Sequence, residues 1–277
     1  MSEDSKAGES TVIYHREGHL GHITLNRPDK RNALNPAVWT ALDGAIAQAE
    51  RDTEARVVLL CGRGISFCAG LDLSPENELF VFAGQETGAL SKVRFYREVR
   101  RVQGIHTRLE RLVKPTIAVI QKHCLGAGLE LALCCDIRLC TADTLFSLPE
   151  ARLAFITDIG GLQRLTRVVG RAHAREISFR AHRFEARKAL AINLVNEIYP
   201  DAATLTAKAL EMAGEIAGNP PLAVQGAKEV FLYDEDATLE ESLEYNAARS
   251  SMVVPSEDMS EAIKAYLEKR QGSYHGR

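Results

Sequence analysis

The sequence contains no C-x-x-C pair and no H-E-x-x-H motif. It also has no apolar run near the roughly 18 residues that a membrane-spanning helix needs, so we expect no membrane partner. Its eight histidines lack the spacing of metal ligands, and we expect no metal. Six cysteines are present, and all but Cys68 lie within or beside apolar runs. This setting favours reduced cysteines that act as small core residues in a cytoplasmic protein.

The ends of the chain and its charge exclude further classes. The N-terminal MSEDSKAGES has neither an apolar core nor an arginine-rich amphipathic pattern, so residues 1–10 are predicted to form a disordered tail and not a targeting peptide. The C-terminal His275-Gly276-Arg277 is not a peroxisomal signal. A net charge of −3 gives no general attraction to nucleic acid or to an anionic membrane, and neither is expected as a partner.

Two site signatures are incomplete. Gly126-Ala127-Gly128 lacks the third glycine of the dinucleotide fingerprint, and no acidic residue follows a second strand at the expected distance. The stretch 64–68 lacks the final glycine of a nucleophile elbow. Neither Ser66 nor Cys68 has a histidine nearby in the sequence. These absences argue against a dinucleotide-binding site and against a hydrolase nucleophile.

The length and the hydrophobic pattern predict an α/β fold. A chain of 277 residues that is 45% hydrophobic can bury a large core. The predicted strands are Gly21–Leu25, Val57–Cys61, Thr116–Ile120 and Ile137–Cys140. The predicted helices between them are Pro36–Glu50 with Asn35 as N-cap, Lys92–Leu112, Leu129–Cys135 and Leu162–Val169. Alternating strands and helices indicate crossover connections and sheets covered by helices.

The last third of the chain differs in character. Its predicted helices are Ala202–Ala217, Pro221–Leu232, Leu239–Ser250 and Ser256–Lys269, with prolines between them. We therefore predict a core over residues 11–200 and an α-helical region over residues 201–277 that packs on something outside that core. Residues 74–91 show no readable pattern and are expected to be mobile.

Two glutamates twenty residues apart, Glu130 and Glu150, flank an apolar stretch, and Glu130 follows the loop Gly126-Ala127-Gly128. A glycine-flanked loop that enters a helix presents free backbone N–H groups, and such fixed groups stabilise negative charge on a thioester carbonyl oxygen. A carboxyl group in an apolar pocket has a raised pKa and exchanges protons near neutral pH. Taken singly, the loop is also typical of a tight turn, Glu130 of a helix cap and Glu150 of a surface ion pair.

Four segments in order carry a resemblance. They are Ile23–Leu34, Phe67–Leu73, Gly126–Ala132 and Gly161–Leu165. Together they resemble the enoyl-CoA hydratase/isomerase family, also called the crotonase family, over roughly residues 10–270. The resemblance implies a crotonase-like ββα spiral core with a C-terminal α-helical trimerisation region, and a homotrimer or a hexamer built as a dimer of trimers. It also implies an acyl-CoA substrate and no cofactor beyond the coenzyme A that the substrate carries.

The resemblance assigns roles to individual residues. The amides of Leu71 and Ala127 would form an oxyanion hole, although Ala127 replaces the middle glycine usual in the family. A negative φ at Ala127 would make that replacement tolerable. Glu130 and Glu150 match the two catalytic glutamates of family hydratases. The residues that match the coenzyme A site are Lys30, Arg31, Ala33, Ala69, Gly70 and Asp72.

Asp158 distinguishes the subclasses. It lies eight residues after Glu150, where similar hydratases carry a Pro-Gly turn. It resembles an acid of the Δ3,5-Δ2,4-dienoyl-CoA isomerases, which implies Glu150 as the base at C2, Asp158 as the acid at C6 and Glu130 as a residue that tunes or orients the pair. The isomerases carry an aspartate in place of Glu130, which keeps hydration of a trans-2-enoyl-CoA as an alternative. Asp158 could instead be the N-cap of the helix after it.

Other interpretations remain for the charged segments and for the whole chain. Lys30-Arg31 is also typical of a solvated turn, and the arginines of Lys92–Leu112 are typical of a solvated helix face more than of a nucleic-acid contact. We predict an isomerase that acts on unsaturated fatty acyl-CoA through an enolate. Enoyl-CoA hydratase is the first alternative. A catalytically silent CoA-binding or RNA-associated scaffold is the second, and the three acids argue against it.

Overall fold

A computed structural model describes residues 10–75, 77 and 88–276. Residues 1–9 of the expected disordered tail lie outside these ranges, as do residues 76 and 78–87 of the segment expected to be mobile. None of the helices in the described ranges is long and apolar enough to cross a bilayer.

A six-stranded sheet runs through the centre of the core. Its strands, numbered in chain order, are β1 (Val12–Glu17), β2 (Leu20–Leu25), β3 (Val57–Gly62), β4 (Thr116–Ile120), β6 (Ile137–Thr141) and β9 (Glu197–Tyr199), in that spatial order. The first two strands form an antiparallel hairpin, and all later neighbours are parallel. Every residue of β4 is buried, as expected for a parallel strand with helices on both faces.

A smaller sheet lies beside the candidate site. It contains β5 (His123–Leu125), β7 (Leu145–Ser147) and β8 (Phe184–Glu185). Strands β5 and β7 are parallel, and the Gly126 amide extends their pairing by donating to Ser147 O at 2.8 Å. This pairing places the glycine loop after β5 next to the segment after β7 that carries Glu150.

Helices enclose the sheets. Those of the first two thirds are α1 (Pro36–Arg51), α2 (Ala89–Glu110), α3 (Ala127–Ala132), α4 (Gly161–Arg180) and α5 (Ala186–Ala191), with short 3-10 helices at Pro28–Lys30 and Glu150–Leu153. The C-terminal helices are α6 (Ala202–Ala217), α7 (Pro221–Asp234), α8 (Leu239–Val253) and α9 (Glu257–Glu268). Asn35 caps α1 as predicted, since its side chain accepts from Val38 N at 3.0 Å.

The core has two hydrophobic clusters, one on each face of the large sheet. Because side chains alternate along a strand, Val58 and Leu60 of β3 join the cluster that contains α1, whereas Val57 and Leu59 join the cluster that contains α6. Full burial of a side chain of this size contributes about 1.5–3 kcal/mol. Helix α6 therefore covers one face of the sheet.

The predicted α/β architecture with helix-covered sheets is confirmed, as are the four predicted strands and the helical character of the last third. Helix α3 begins at Ala127, two residues before its predicted start. Helices α7 to α9 expose large apolar side chains, among them Phe231, Leu239, Met252, Tyr266 and Leu267. The division at residue 200 and the trimerisation role of the helical region stay predictions.

Candidate active site

A cavity of about 560 Å³ lies between α2, α3 and the segment after β7. Seven of the predicted site residues line it: Ala69, Gly70, Leu71, Ala127, Glu130, Glu150 and Asp158. The rest of its wall is mainly apolar and includes Trp39, Phe95, Val99, Val102, Phe155 and Ile159. The three predicted acids and the two predicted loop residues thus border one space that is suited to an apolar chain.

Helix α3 begins at Ala127, and the amide of a first helical residue has no acceptor within its own helix. Ala127 is helical, so the alanine fits without the strain that a positive φ would cause. The unusual backbone belongs to Gly126, with φ 52° and ψ −126°. A glycine is required there, and the residue after it can be alanine.

The second predicted amide, that of Leu71, lies on an adjacent segment. Leu34 N donates to Gly70 O and Asp72 N donates to Leu34 O, both at 2.8 Å, so this pairing does not use the Leu71 amide. A Cβ atom built on Gly70 would lie 3.6 Å from Ala127 N, which shows how close the two segments are. The Leu71 and Ala127 amides therefore lie on neighbouring edges of one cavity and have no role in these pairings.

Glu150 lies directly against the glycine loop. Its Oε1 would be 2.8 Å from a Cβ atom built on Gly126, and its Oε2 accepts a hydrogen bond from Thr157 Oγ1 at 3.3 Å. Burial raises the pKa of Glu150, and the charge of Asp158 adds to the increase. Glu150 is therefore a carboxyl group suited to proton exchange beside the two amides.

Glu130 is the most deeply buried of the three acids, with 2% of its surface exposed. Its Oε2 accepts from Gly161 N at 2.7 Å, so Glu130 caps α4 although it belongs to α3. Burial, and secondly the charge of Glu150, raise the pKa of Glu130 to about 8, while the Gly161 hydrogen bond opposes the increase. At neutral pH Glu130 is mainly protonated and can donate a hydrogen bond.

Asp158 is half-buried and comes two residues before the Gly160 N-cap of α4. No side chain caps α4 from within its own segment, so the alternative role of Asp158 as N-cap is wrong. Its carbonyl oxygen accepts from Gln103 Nε2 of α2 at 2.5 Å. Burial raises the pKa of Asp158, and its charge in turn raises the pKa of Glu130 and of Glu150.

The predicted coenzyme A residues divide into two groups. Within the described part of the chain, Lys30, Arg31, Ala33 and Asp72 do not line this cavity, although the Ala69 amide donates to Arg31 O at 2.9 Å. Lys30 and Arg31 are exposed beside the loop that carries Ala69 and Gly70.

Asp72 has a structural role that the sequence did not reveal. Its Oδ2 accepts from Arg27 Nη1 at 3.0 Å, and the same guanidinium donates to Ala33 O at 2.6 Å. Burial alone would raise the pKa of Asp72, but hydrogen bonds from Ser74 and Arg27 outweigh it and lower the pKa. Asp72 thus ties the segment that carries Leu71 to the segment that precedes α1, and its contact with coenzyme A stays a prediction.

Comparisons with known proteins identify the family of this chain. The sequence profile of a family described as enoyl-CoA hydratase/isomerase matches residues 15–277. The chain belongs to the enoyl-CoA hydratase/isomerase family. It is similar to the mitochondrial Δ(3,5)-Δ(2,4)-dienoyl-CoA isomerase of Rattus norvegicus, with 33% identity over 266 residues that cover 95% of this chain and 80% of the rat protein.

Hydratases of the family are equally similar. The short-chain-enoyl-CoA hydratase of Clostridium acetobutylicum is 34% identical over 264 residues, which cover 95% of this chain and 96% of that protein. The crystal structure of an enoyl-CoA hydratase from Bacillus anthracis matches with a TM-score of 0.88 and 32% identity, covering 96% of this chain and all of that one. The crotonase-like α/β fold is thereby confirmed.

In this family member, sequence reasoning missed several residues of the site. Thr157 donates a hydrogen bond to the Glu150 side chain, and Gln103 donates one to the Asp158 carbonyl oxygen, but neither residue belongs to a motif. Phe95, Val99 and Val102 recur at helical spacing along α2, but nothing in the sequence indicates that this face of the helix lines the cavity. Arginines of the same helix form ion pairs, such as Arg108 with Asp43, as expected for a solvated face.

A serine–histidine contact also escaped the sequence. Ser66 Oγ lies 2.9 Å from His123 Nδ1, although the two residues are 57 positions apart. Ser66 is 1% exposed, and neither residue is among those that line the cavity. Burial lowers the pKa of His123. The contact therefore joins β5 to the segment after β3, and this serine–histidine pair does not face the cavity.

Proposed function

We propose that this protein isomerises a 3,5-dienoyl-CoA to the 2,4-dienoyl-CoA. The observation that carries the proposal is the presence of Asp158 in the wall of the same apolar cavity as Glu150. One side chain could hardly reach both C2 and C6 of an extended acyl chain, whereas two acids on separate segments can serve the two ends. Burial raises the pKa of both, as proton exchange near neutral pH requires.

The proposed reaction consists of two proton transfers. Ionised Glu150 takes a proton from C2, and the electron pair enters the conjugated system as a dienolate with negative charge on the thioester oxygen. The Leu71 and Ala127 amides donate hydrogen bonds to that oxygen, and in other enzymes the loss of one such donor costs about 3–4 kcal/mol of barrier. Protonated Asp158 then delivers a proton to C6. This moves the double bonds to positions 2 and 4, and a proton passes from Glu150 to Asp158 through solvent before the next cycle.

Glu130 supports this cycle through its hydrogen bonding and charge. Because its carboxyl group is mainly protonated at neutral pH, it adds little negative charge beside Glu150 and leaves Glu150 as the base. The scheme involves only proton transfers, so it needs no cofactor beyond the coenzyme A of the substrate. In our proposal Lys30 and Arg31 hold the phosphates of that coenzyme, since both are exposed beside the Ala69 loop.

Hydration of a trans-2-enoyl-CoA is the second candidate. Glu130 and Glu150 both line the cavity, and this is the acid pair that hydration requires. The Clostridium acetobutylicum relative is named as a short-chain-enoyl-CoA hydratase at an identity similar to that of the rat isomerase. In this reaction one glutamate would take a proton from water as the oxygen adds to C3, and the other would protonate C2.

The exposed apolar side chains and the free cysteines bear on the oligomeric state and the cellular compartment of the protein. We place a trimer or a dimer of trimers on the apolar side chains that α7 to α9 expose, such as Phe231 and Leu267, because exposed patches of this kind are typical of subunit interfaces. All six cysteines are free, which supports a reducing compartment such as the cytoplasm.

An absorbance assay with two substrates tests the function. The purified protein is incubated separately with a 3,5-dienoyl-CoA and with crotonyl-CoA. We expect the absorbance of the conjugated 2,4-dienoyl thioester to rise with the first substrate. Loss of the enoyl absorbance with crotonyl-CoA alone would replace the isomerase by the hydratase, and no change with either would leave a silent CoA-binding scaffold.

A further inference from the structure

One face of α2 holds the segment that carries Asp158. Gln103 Nε2 donates to Asp158 O at 2.5 Å. One turn further along the same face, Thr107 Oγ1 accepts from Arg164 Nη2 at 3.2 Å. After another turn, Glu110 forms an ion pair with Arg164 at 2.7 Å. Gln103, Thr107 and Glu110 are spaced i, i+4, i+7 and therefore lie in one row along the helix.

The orientation of the Gln103 amide is fixed from its other end. Arg100 Nη1 donates to Gln103 Oε1 at 2.8 Å. A guanidinium group can only donate, so it occupies the oxygen of the amide and leaves the NH2 group to face Asp158 O. Both ends of the Gln103 side chain are thus engaged, and the distance between α2 and the Asp158 backbone is defined.

Asp158 has few other anchors. It lies in the stretch between the 3-10 helix Glu150–Leu153 and α4, and residues 151–156 of that stretch are exposed. On either side, Thr157 Oγ1 donates to Glu150, and the Gly161 amide donates to Glu130. These neighbouring contacts position the other two acids. The Gln103 hydrogen bond acts on Asp158 itself.

The same helix also forms the wall of the cavity. Val99 and Val102, which precede Gln103 on α2, line the space into which the acyl chain would extend. A rigid link between α2 and Asp158 therefore sets the distance between the acyl chain and its proton donor. A displacement of about 1 Å at a reacting group can cost roughly 10²-fold in rate.

We propose that Gln103 is a positioning residue that holds Asp158 for proton delivery to C6. This inference rests on the proposed isomerase function and adds a residue that acts through Asp158 without touching the substrate. It implies that loss of the Gln103 donor slows the C6 step, while proton removal at C2 by Glu150 continues.

The test compares Gln103→Met, which keeps the length of the side chain and removes the donor, with the wild type. With a 3,5-dienoyl-CoA we expect kcat to fall about ten-fold, because one well-placed hydrogen bond is lost. KM should stay within about two-fold of the wild-type value. In D2O we expect the exchange of deuterium into C2 of the substrate to persist at the wild-type rate. A general loss of structure would lower exchange and isomerisation together.

Three further variants complete the design. Gln103→Glu keeps the shape of the side chain and its contact with Arg100, but an ionised carboxylate cannot donate a hydrogen bond to Asp158 O. Its kcat should therefore match that of Gln103→Met, and it replaces Gln103→Met in the test if that variant folds poorly. Arg100→Met should reduce kcat about three-fold, and adding it to Gln103→Met should cause no further loss, because both act through one contact. Gln48→Met, at an exposed position of α1, is the matched control and should leave kcat unchanged.

The outcomes separate the two proposals. A wild type without isomerase activity would overturn the proposed function, and this inference would fail with it. An active wild type whose Gln103→Met and Gln103→Glu variants keep kcat within two-fold would overturn only the role of Gln103. Parallel loss of C2 exchange and isomerisation in a variant that unfolds at the wild-type temperature would also count against it.

Discussion

Glu130 Oε2 accepts a hydrogen bond from the amide of Gly161 at 2.7 Å, and this contact joins α3 to the first turn of α4. Burial removes the water that would stabilise the ionised form of this carboxyl group. The Gly161 amide and the dipole of α4 replace only part of that stabilisation, so the pKa of Glu130 rises to about 8. One side chain therefore places the helix that follows Asp158 and supplies a protonated acid beside Glu150.

The raised pKa of Glu130 predicts a pH-dependent stability difference between the wild type and Glu130→Gln. Between its ordinary pKa of 4.5 and the folded value of about 8, the native state binds more protons than the unfolded state. The free energy of unfolding therefore falls as pH rises, by at most about 1.4 kcal/mol per pH unit from this group. Glutamine keeps an acceptor for the Gly161 amide and does not ionise.

Urea denaturation of both proteins at about pH 5 and about pH 9 checks this. We expect the stability of the variant relative to the wild type to increase at the higher pH. A difference that stays constant between the two pH values would show that Glu130 ionises in the native protein at its ordinary pKa.

Glu150→Gln should abolish both isomerisation and any hydration. The amide keeps the size of the side chain and cannot accept the C2 proton, and a general base contributes roughly 10²–10⁴-fold to the rate. Steady-state assays with both CoA esters measure the loss, and exchange of deuterium into C2 should stop as well. Retained turnover would remove Glu150 from the mechanism.

Asp158→Asn should abolish isomerisation and spare hydration, if hydration is present, because it removes the proton donor at C6 alone. Exchange at C2, followed by proton NMR of the thioester in D2O, should continue. The contrast with Glu150→Gln makes the pair informative, since the two changes are equally conservative. Equal loss of isomerisation, hydration and C2 exchange would contradict the separate roles of the two acids.

Gly126→Ala should lower kcat by about 10²-fold, because an alanine at φ 52° and ψ −126° is strained and its Cβ atom would lie 2.8 Å from Glu150 Oε1. Gly44→Ala, in an open position within α1, is the matched control. It should stabilise the protein by about 0.5–1 kcal/mol and leave kcat unchanged. Steady-state kinetics and thermal unfolding of both variants check this, and an unimpaired Gly126→Ala enzyme would contradict the tight placement of Glu150.

Much of the fold could be predicted from the sequence because the residues that define each helix or strand are close together in the chain. The N-cap of Asn35, the apolar run of β4 and the proline breaks before α7 and α9 each define an element without reference to the rest of the chain. The short strands β5, β7 and β8 were missed, since segments of two or three residues carry no periodicity. The start of α3 was misplaced because Gly126-Ala127 was interpreted as a loop.

Only part of the candidate site could be predicted from the sequence, because some of its contacts are not local. The acids and the amides lie in segments whose motifs are recognisable, and the cavity brings them together. Gln103 and the partner of Glu130 act through contacts between segments distant in sequence, such as Gln103 and Asp158, which are 55 positions apart. No local pattern encodes such a pair. Its members are visible only after the chain has folded.

The most direct test of the two-acid mechanism follows the isomerisation of a 3,5-dienoyl-CoA in D2O and locates the deuterium in the product by NMR. Solvent-exchanged Asp158 should place one deuterium at C6 of the 2,4-dienoyl-CoA, and the original C2 proton should be lost to solvent through Glu150. A product that retains the C2 proton at C6 would mean that a single group carries it along the chain. That product, or the recovery of unchanged substrate, would contradict the account.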